Sequence, residues 1–235
     1  MAEKPTRIVP YGVIRMEVFL LGWVFALGQL AATLGTARLH HGEYFPRVDH
    51  WQLAIFTSVI SFFIFGWCLA LGFLACQGGH FSIWEFALAI LLHDAYFYGC
   101  HKWLHTDPLY QKVHWLHHLH RKPGAWTAMM MHPIEAGIDA LFFILLPLVI
   151  PMGTSSLTGF FCFMFATNLV GHLSTDYIKR MFPAFHWKAI NDTSSHTRHH
   201  QEVTANLGAY TTFWDRWAGS YRSGSSQTRS EKWTL

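Results

Sequence analysis

Eight histidines fall into three tight patterns: His101-Lys-Trp-Leu-His105, then after eight residues His114-Trp-Leu-His117-His118, and much later His196-Thr-Arg-His199-His200. On a helix, residues three and four apart share a face, so each pattern is expected to aim two or three imidazoles at one point. Such crowding is unfavourable once the rings protonate, unless a cation binds their neutral forms. A bound metal is the economical explanation. One zinc ion needs only three or four protein ligands, and the protease pattern His-Glu-x-x-His is absent because Lys102 follows His101. Haem iron takes only axial protein ligands, which would leave most of each triple unused. Eight imidazoles instead suffice for two ions, with iron preferred and copper left open on affinity grounds. His40, His41, His50, His80, His93, His120 and His186 stand alone and read as ordinary hydrogen-bonded side chains. Cys68, Cys76, Cys100 and Cys162 lie in or beside apolar windows at no ligand spacing and read as buried thiols.

The elements that must hold these residues are helices of a membrane protein. Only 13% of the 235 residues are charged, against about 25% in a soluble domain, while 51% are hydrophobic and 17% aromatic. A net charge of +3 is too small to argue for nucleic acid. Five windows approach the length needed to cross a bilayer: Met16 to Gly35, Gln52 to Cys76, Ser82 to Cys100, Ala136 to Met152 and Leu157 to His172. The connections Gln77 to Phe81 and Gly153 to Ser156 are short and carry no Lys or Arg, so two antiparallel hairpins are expected. Fourteen of the 17 Lys and Arg fall on the other side of these windows, which marks that side, and every histidine cluster with it, as cytoplasmic. Lys4, Arg7 and Arg15 favour an inside N-terminus, and a re-entrant or in-plane first helix reconciles them with five windows. A cleaved signal peptide is not expected, since a cytoplasmic active face needs no export. The fold class is therefore all-α, an integral membrane protein of four to five membrane helices with a cytoplasmic, histidine-rich helical cap. Residues 1–222 read as one domain, and the Ser-rich stretch in 223–235 reads as a disordered tail.

From Asp94 to Tyr221 the chain resembles the fatty acid hydroxylase and sterol desaturase superfamily of integral membrane di-iron oxygenases, bacterial sterol-desaturase-like members in particular. The resemblance rests on Asp94-x-x-x-Tyr98 leading into His101 and His105, on the triples at His114 and His196, and on His132-Pro-Ile-Glu135. Asn206-Leu-Gly208, Trp214-Asp215 and Gly219-Ser-Tyr221 follow the last triple as in the family, with Leu207 and Ser220 as departures and Lys102 where Arg is usual. The resemblance implies ligand status for His101, His105, His114, His117, His118, His196, His199 and His200. It adds His172, because Asn168-Leu-Val-Gly-His172 is similar to a segment that supplies a further histidine. It further implies two iron ions, O2 as co-substrate, and hydroxylation or desaturation of a lipid: an acyl chain, sphingoid base, sterol, amino-acid lipid or carotenoid. Membrane helices would admit such a substrate sideways from the bilayer, whether bacterial inner membrane or endoplasmic reticulum.

Around the ligands, Asp94 and Tyr98 share a helical stripe with His101 and His105, which makes them outer-sphere candidates, with Asp94 accepting from Tyr98 or from a ligand imidazole. Asn168 lies one turn before His172 and is expected to face a neighbouring imidazole or the metal's solvent. His132 is open between substrate contact and helix cap, and Glu135 reads as an acid favoured at a helix N-terminus. The sequence holds no Gly-x-Gly-x-x-Gly turn, no cysteine set for an iron–sulfur cluster and nothing similar to cytochrome b5. Electrons are therefore expected from a separate carrier, a cytochrome b5-like protein or a ferredoxin with its reductase, drawn to the basic cytoplasmic side. The competing class is a membrane haem or copper protein without oxygenase chemistry, which a strong Soret band would reveal in the haem case. A member that has lost activity is the third possibility.

Overall fold

A computed structural model describes residues 51–121, 123–173, 178 and 188–223. The first apolar window, the tail beyond Ser223, and His40, His41, His50 and His186 lie outside the described residues. Four long helices form the base: α1 (Trp51–Phe73), α2 (Ile83–Leu104), α4 (Pro133–Val149) and α5 (Thr154–Gly171). Between α2 and α4 come the short α3 (Leu109–Lys112) and two 3-10 turns, His114–Leu119 and Ala125–Thr127. Helices α6 (Thr193–Gln201) and α7 (Phe213–Ala218) complete the order, and no strand occurs among the described residues beyond one bridge between Ile190 and Thr211.

Local chemistry explains the helix ends. Ser82 caps α2 by accepting from the Glu85 backbone, Pro133 supplies a preset φ at the start of α4, and Asp192 caps α6 by accepting from Ser195 N–H at 2.8 Å. Within α1, the hydroxyls of Thr57 and Ser61 donate to carbonyls one turn back, at 2.8 and 2.9 Å, which satisfies them inside an apolar run. The two short connections meet at one end of the base. Gln77 N–H donates to the Met152 carbonyl, Thr154 N–H to Gly78, Gly153 N–H to Glu85, and Ser82 N–H to the Ser156 hydroxyl.

Packing departs from the two hairpins expected from loop length. Helix α1 lies chiefly against α4, and α2 against α5 and α4, so each helix packs most closely on a partner from the other hairpin. The reason is steric at Gly72: a Cβ there would stand 2.1 Å from the Phe143 carbonyl oxygen, so only glycine lets the two backbones approach this closely. Phe143, Phe160, Phe161, Leu69 and Leu157 fill the centre, with Phe65 edge-on to Phe143.

Among the described residues one helix, Gln52–Phe73, is both long and apolar enough to cross a bilayer. The other three do not meet both conditions. At 1.5 Å per residue, the 17 residues of α4 and 18 of α5 reach only about 26–27 Å of a roughly 30 Å hydrocarbon core. Helix α2 carries Glu85, Asp94 and Lys102 along its length.

Candidate metal centre

The C-terminal end of α2 places His101 and His105 one turn apart, and the chain then folds back through α3 to lay His114, His117 and His118 on a 3-10 turn. Helix α6 brings His196, His199 and His200 from 80 residues on, and His172 caps the end of α5. All nine histidines of the sequence reading meet here, in two groups. His101, His105, His114, His118 and His199 form one, and His117, His172, His196 and His200 the other; within each, the ligand atoms lie within 4.8 Å of one another.

The triples do not each converge on one point. Each is divided: His114 and His118 go to the first group and His117 to the second, while His196 and His200 go to the second and His199 to the first. The 3-10 winding of 114–119 stacks His117 over His114, ring centroids 5.5 Å apart, so adjacent rings serve different groups. His172 likewise joins His117, His196 and His200 rather than His101.

Hydrogen bonds at the outer edge of the rings fix which nitrogen faces inward. A carbonyl can only accept, so Nδ1 of His101 donates to Leu207, His199 to Ala205 and His172 to Asn168, each at 2.8 Å, and His200 to His120 at 3.1 Å. His114 Nδ1 lies 2.8 Å from a Glu135 carboxyl oxygen, both side chains being buried. In the four rings held by carbonyls Nε2 therefore presents a bare lone pair to the group. His114 Nε2 nevertheless lies 3.1 Å from Nε2 of His101, His105 and His118. His196 Nε2 lies 3.1 Å from Nε2 of both His172 and His200, and one proton could satisfy only one of them. The His199 Nε2 is buried without a partner. Lone pairs packed this closely are compatible with a cation among them.

Electrostatics favours the same state. Burial, compounded by neighbouring imidazoles, holds His118 down at about 3 and His105 at about 2, and keeps His114, His117, His196, His199 and His200 well below the ordinary histidine range. Neutral imidazole is the form that ligates. The donor set is nitrogen alone, which suits iron, copper or zinc and not magnesium or calcium. Haem fits poorly, since a macrocycle would occupy the space that the third, fourth and fifth rings fill and would use only two of them.

Asp94, Tyr98, Asn168 and Glu135 differ from their sequence reading. Asp94 accepts neither from Tyr98 nor from an imidazole: it takes the N–H groups of Tyr210 and Thr211 and the Thr211 hydroxyl, at 2.8, 3.3 and 2.5 Å. Tyr98 stacks on Trp214 with its hydroxyl 3.4 Å from Ser220. The Asn168 side chain donates to the Ala128 carbonyl, and it is the Asn168 backbone that serves His172. His132 caps α4 by accepting from Ile134 N–H at 3.2 Å. Glu135, read as a helix-end acid, is the carboxyl partner of His114, a contact 21 residues apart that local spacing does not signal. His93 is an ordinary hydrogen-bonded side chain as read, its Nδ1 2.9 Å from the Tyr210 hydroxyl among Phe142 and Phe160.

The sequence is similar to a probable Delta(7)-sterol 5(6)-desaturase of Neurospora crassa, 28% identical over 145 residues, covering 62% of this chain and 40% of that protein. It is 31% identical to a Delta(7)-sterol 5(6)-desaturase of Eremothecium gossypii over 137 residues, 57% of this chain and 36% of that one. With the lathosterol oxidase of Rattus norvegicus it shares 29% identity over 133 residues, 57% and 43% of the two chains. The chain thus spans about two fifths of the length of these curated relatives, and no solved structure matches it. The fatty acid hydroxylase family pattern matches residues 86–220, more than half of the chain and a stretch that contains all nine clustered histidines, so the protein belongs to the fatty acid hydroxylase family.

Proposed function

We propose that the protein is a membrane enzyme that hydroxylates or desaturates a lipid, with one iron ion held by each histidine group. The observation that carries this reading is the sorting of nine imidazoles into groups of five and four, with the outer protons of His101, His199, His172 and His200 held on backbone carbonyls. His101, His105, His114, His118 and His199 would hold one ion, and His117, His172, His196 and His200 the other. The iron pair would supply the redox chemistry by which O2 oxidises an unactivated C–H bond. Iron is preferred to zinc because the relatives are named for oxidations and zinc has no redox chemistry. Their names also point to a sterol or another apolar lipid as the substrate class.

The chain's own residues prepare the site for that reaction. Buried rings exclude water, carbonyls hold His101, His172, His199 and His200 in one tautomer, and Glu135 orients His114. Exposed apolar side chains along the base helices, Phe56 and Trp67 on α1, Leu91 on α2, and Leu148 and Val149 on α4, support contact with lipid along several helices. In this reading α2, α4 and α5 complete a multi-pass base beside α1, with the histidines on the cytoplasmic side where the basic residues collect. Lys102, Arg121, Arg216 and Arg222 are exposed at that end and suit docking of an acidic electron carrier.

Purified protein reconstituted anaerobically with Fe2+ should bind two ions per chain and oxidise a membrane lipid when given reductant and O2. His199→Ala and His172→Ala should each lose one equivalent, from different groups, together with product formation. Two full equivalents and normal turnover in both variants would refute the assignment, as would a strong Soret band in the native protein.

A further inference from the structure

The segment 205–212 runs past the five-histidine group and supplies two of its outer contacts from main-chain atoms. The Ala205 carbonyl accepts from His199 Nδ1 and the Leu207 carbonyl from His101 Nδ1, each at 2.8 Å. The imidazole partners of these two carbonyls both belong to the five-histidine group, whereas His172 and His200 of the other group use Asn168 and His120. A backbone carbonyl cannot be aimed by its own side chain, so something else must fix its direction.

Asp215 does this. Its side chain is fully buried, and one oxygen accepts from Leu207 N–H at 2.8 Å and from the Ser220 hydroxyl at 2.6 Å, while the other accepts from Gly208 N–H at 2.8 Å. Successive N–H groups held on the two oxygens of one carboxylate lock the peptide planes at Leu207, and with them the carbonyl that faces His101. Gly208 is part of the fit: a Cβ there would stand 2.7 Å from the Thr211 carbonyl oxygen and 3.0 Å from Asp215 Oδ2. Asn206, in the left-handed region at φ 53°, turns the chain between the two carbonyls and is tied through its side chain to Ser195 and Arg222. Asp94 clamps the far end of the segment at Tyr210 and Thr211.

We propose that Asp215 is a positioning residue for the five-histidine centre alone, setting that centre's metal affinity through the Leu207 carbonyl and His101 without acting on the four-histidine centre. This rests on the reading that each group holds a metal ion. Asp215→Asn keeps the volume but turns one acceptor into a donor that faces a backbone N–H, so the peptide at Leu207 or Gly208 must rotate. Loss of an outer-sphere partner typically lowers metal affinity about 10- to 100-fold.

The test is an anaerobic titration of the full chain in detergent with Co2+ alone, followed by its ligand-field absorption, in two backgrounds that isolate the centres. His200→Ala leaves the five-histidine group intact, and His199→Ala leaves the four-histidine group intact. Asp215→Asn is expected to weaken Co2+ binding about 10- to 100-fold in the first background and less than about twofold in the second. Equal weakening in both would show a general structural role, and unchanged affinity in the first would show none; either result overturns the proposal. Where Asp215→Asn does not accumulate, Ser220→Ala removes one donor from the carboxylate and is read the same way, with a smaller selective loss expected. Failure of the unsubstituted protein to take up Co2+ at all would instead overturn the metal reading itself.

Discussion

Replacing Glu135 by leucine separates a metal role for His114 from a purely structural one. When His114 ligates through Nε2 its proton sits on Nδ1, 2.8 Å from the Glu135 carboxylate that accepts it, and the pair is only 1% and 3% exposed, so water cannot take the carboxylate's place. Without metal, the Glu135→Leu variant has an escape: His114 can carry its proton on Nε2 instead, beside the Nε2 atoms of His105 and His118 at 3.1 Å. Metal binding through Nε2 closes that escape and returns the proton to Nδ1, where no acceptor remains. An unpaired buried donor costs about 1–3 kcal/mol, and because the metal-free state avoids the cost, it falls on binding. The five-histidine equivalent should therefore bind about 5- to 150-fold more weakly, at 1.4 kcal/mol per tenfold, with the four-histidine equivalent and the thermal midpoint of the metal-free protein nearly unchanged. Anaerobic Fe2+ titration with equilibrium dialysis reads both equivalents. Equal affinity of variant and wild type at the five-histidine equivalent would show that His114 does not ligate through Nε2.

The remaining predictions concern stability. In the metal-free protein, the histidines held at depressed values bind fewer protons when folded than when unfolded, so stability is complete above about 6.5, the ordinary histidine value, and falls as pH drops toward the folded value of about 3 at His118. Thermal unfolding followed from pH 7.5 to 4 should show a steady decline in the midpoint, and a flat profile would contradict the depressed values. Gly72→Ala forces a methyl against the Phe143 carbonyl and should cost about 1–3 kcal/mol by separating α1 from α4, while both metal equivalents bind as before. A variant as stable as wild type would disprove the close helix crossing.

Residue type and spacing made the ligand set readable, because imidazoles three and four apart are rare without a cation to hold them, and the nine histidines named on that ground and by resemblance all lie together. Helix starts were nearly as legible: the windows read from Gln52 and from Ser82 begin within one residue of α1 and α2. Outer contacts were not. Asp94 looked like a partner for its helical stripe, but its side chain reaches a segment 116 residues away, a contact that no periodicity encodes. Glu135 satisfied a local rule for helix N-termini so well that its bond to His114 was hidden behind it.

The sequence by itself determined that the chain is helical and apolar, that it gathers imidazoles, and eight of the nine that meet, since composition and i, i+3, i+4 spacing are properties of single segments, while His172 was named by resemblance. Tertiary structure decided how those imidazoles are divided. Whether a ring points to one group or the other depends on the 3-10 winding at 114–119, on the approach of α6 to the end of α5, and on which carbonyl waits for each Nδ1. Those are relations between segments far apart in the chain, and hydrogen-bond direction and packing fix them only once the helices have met.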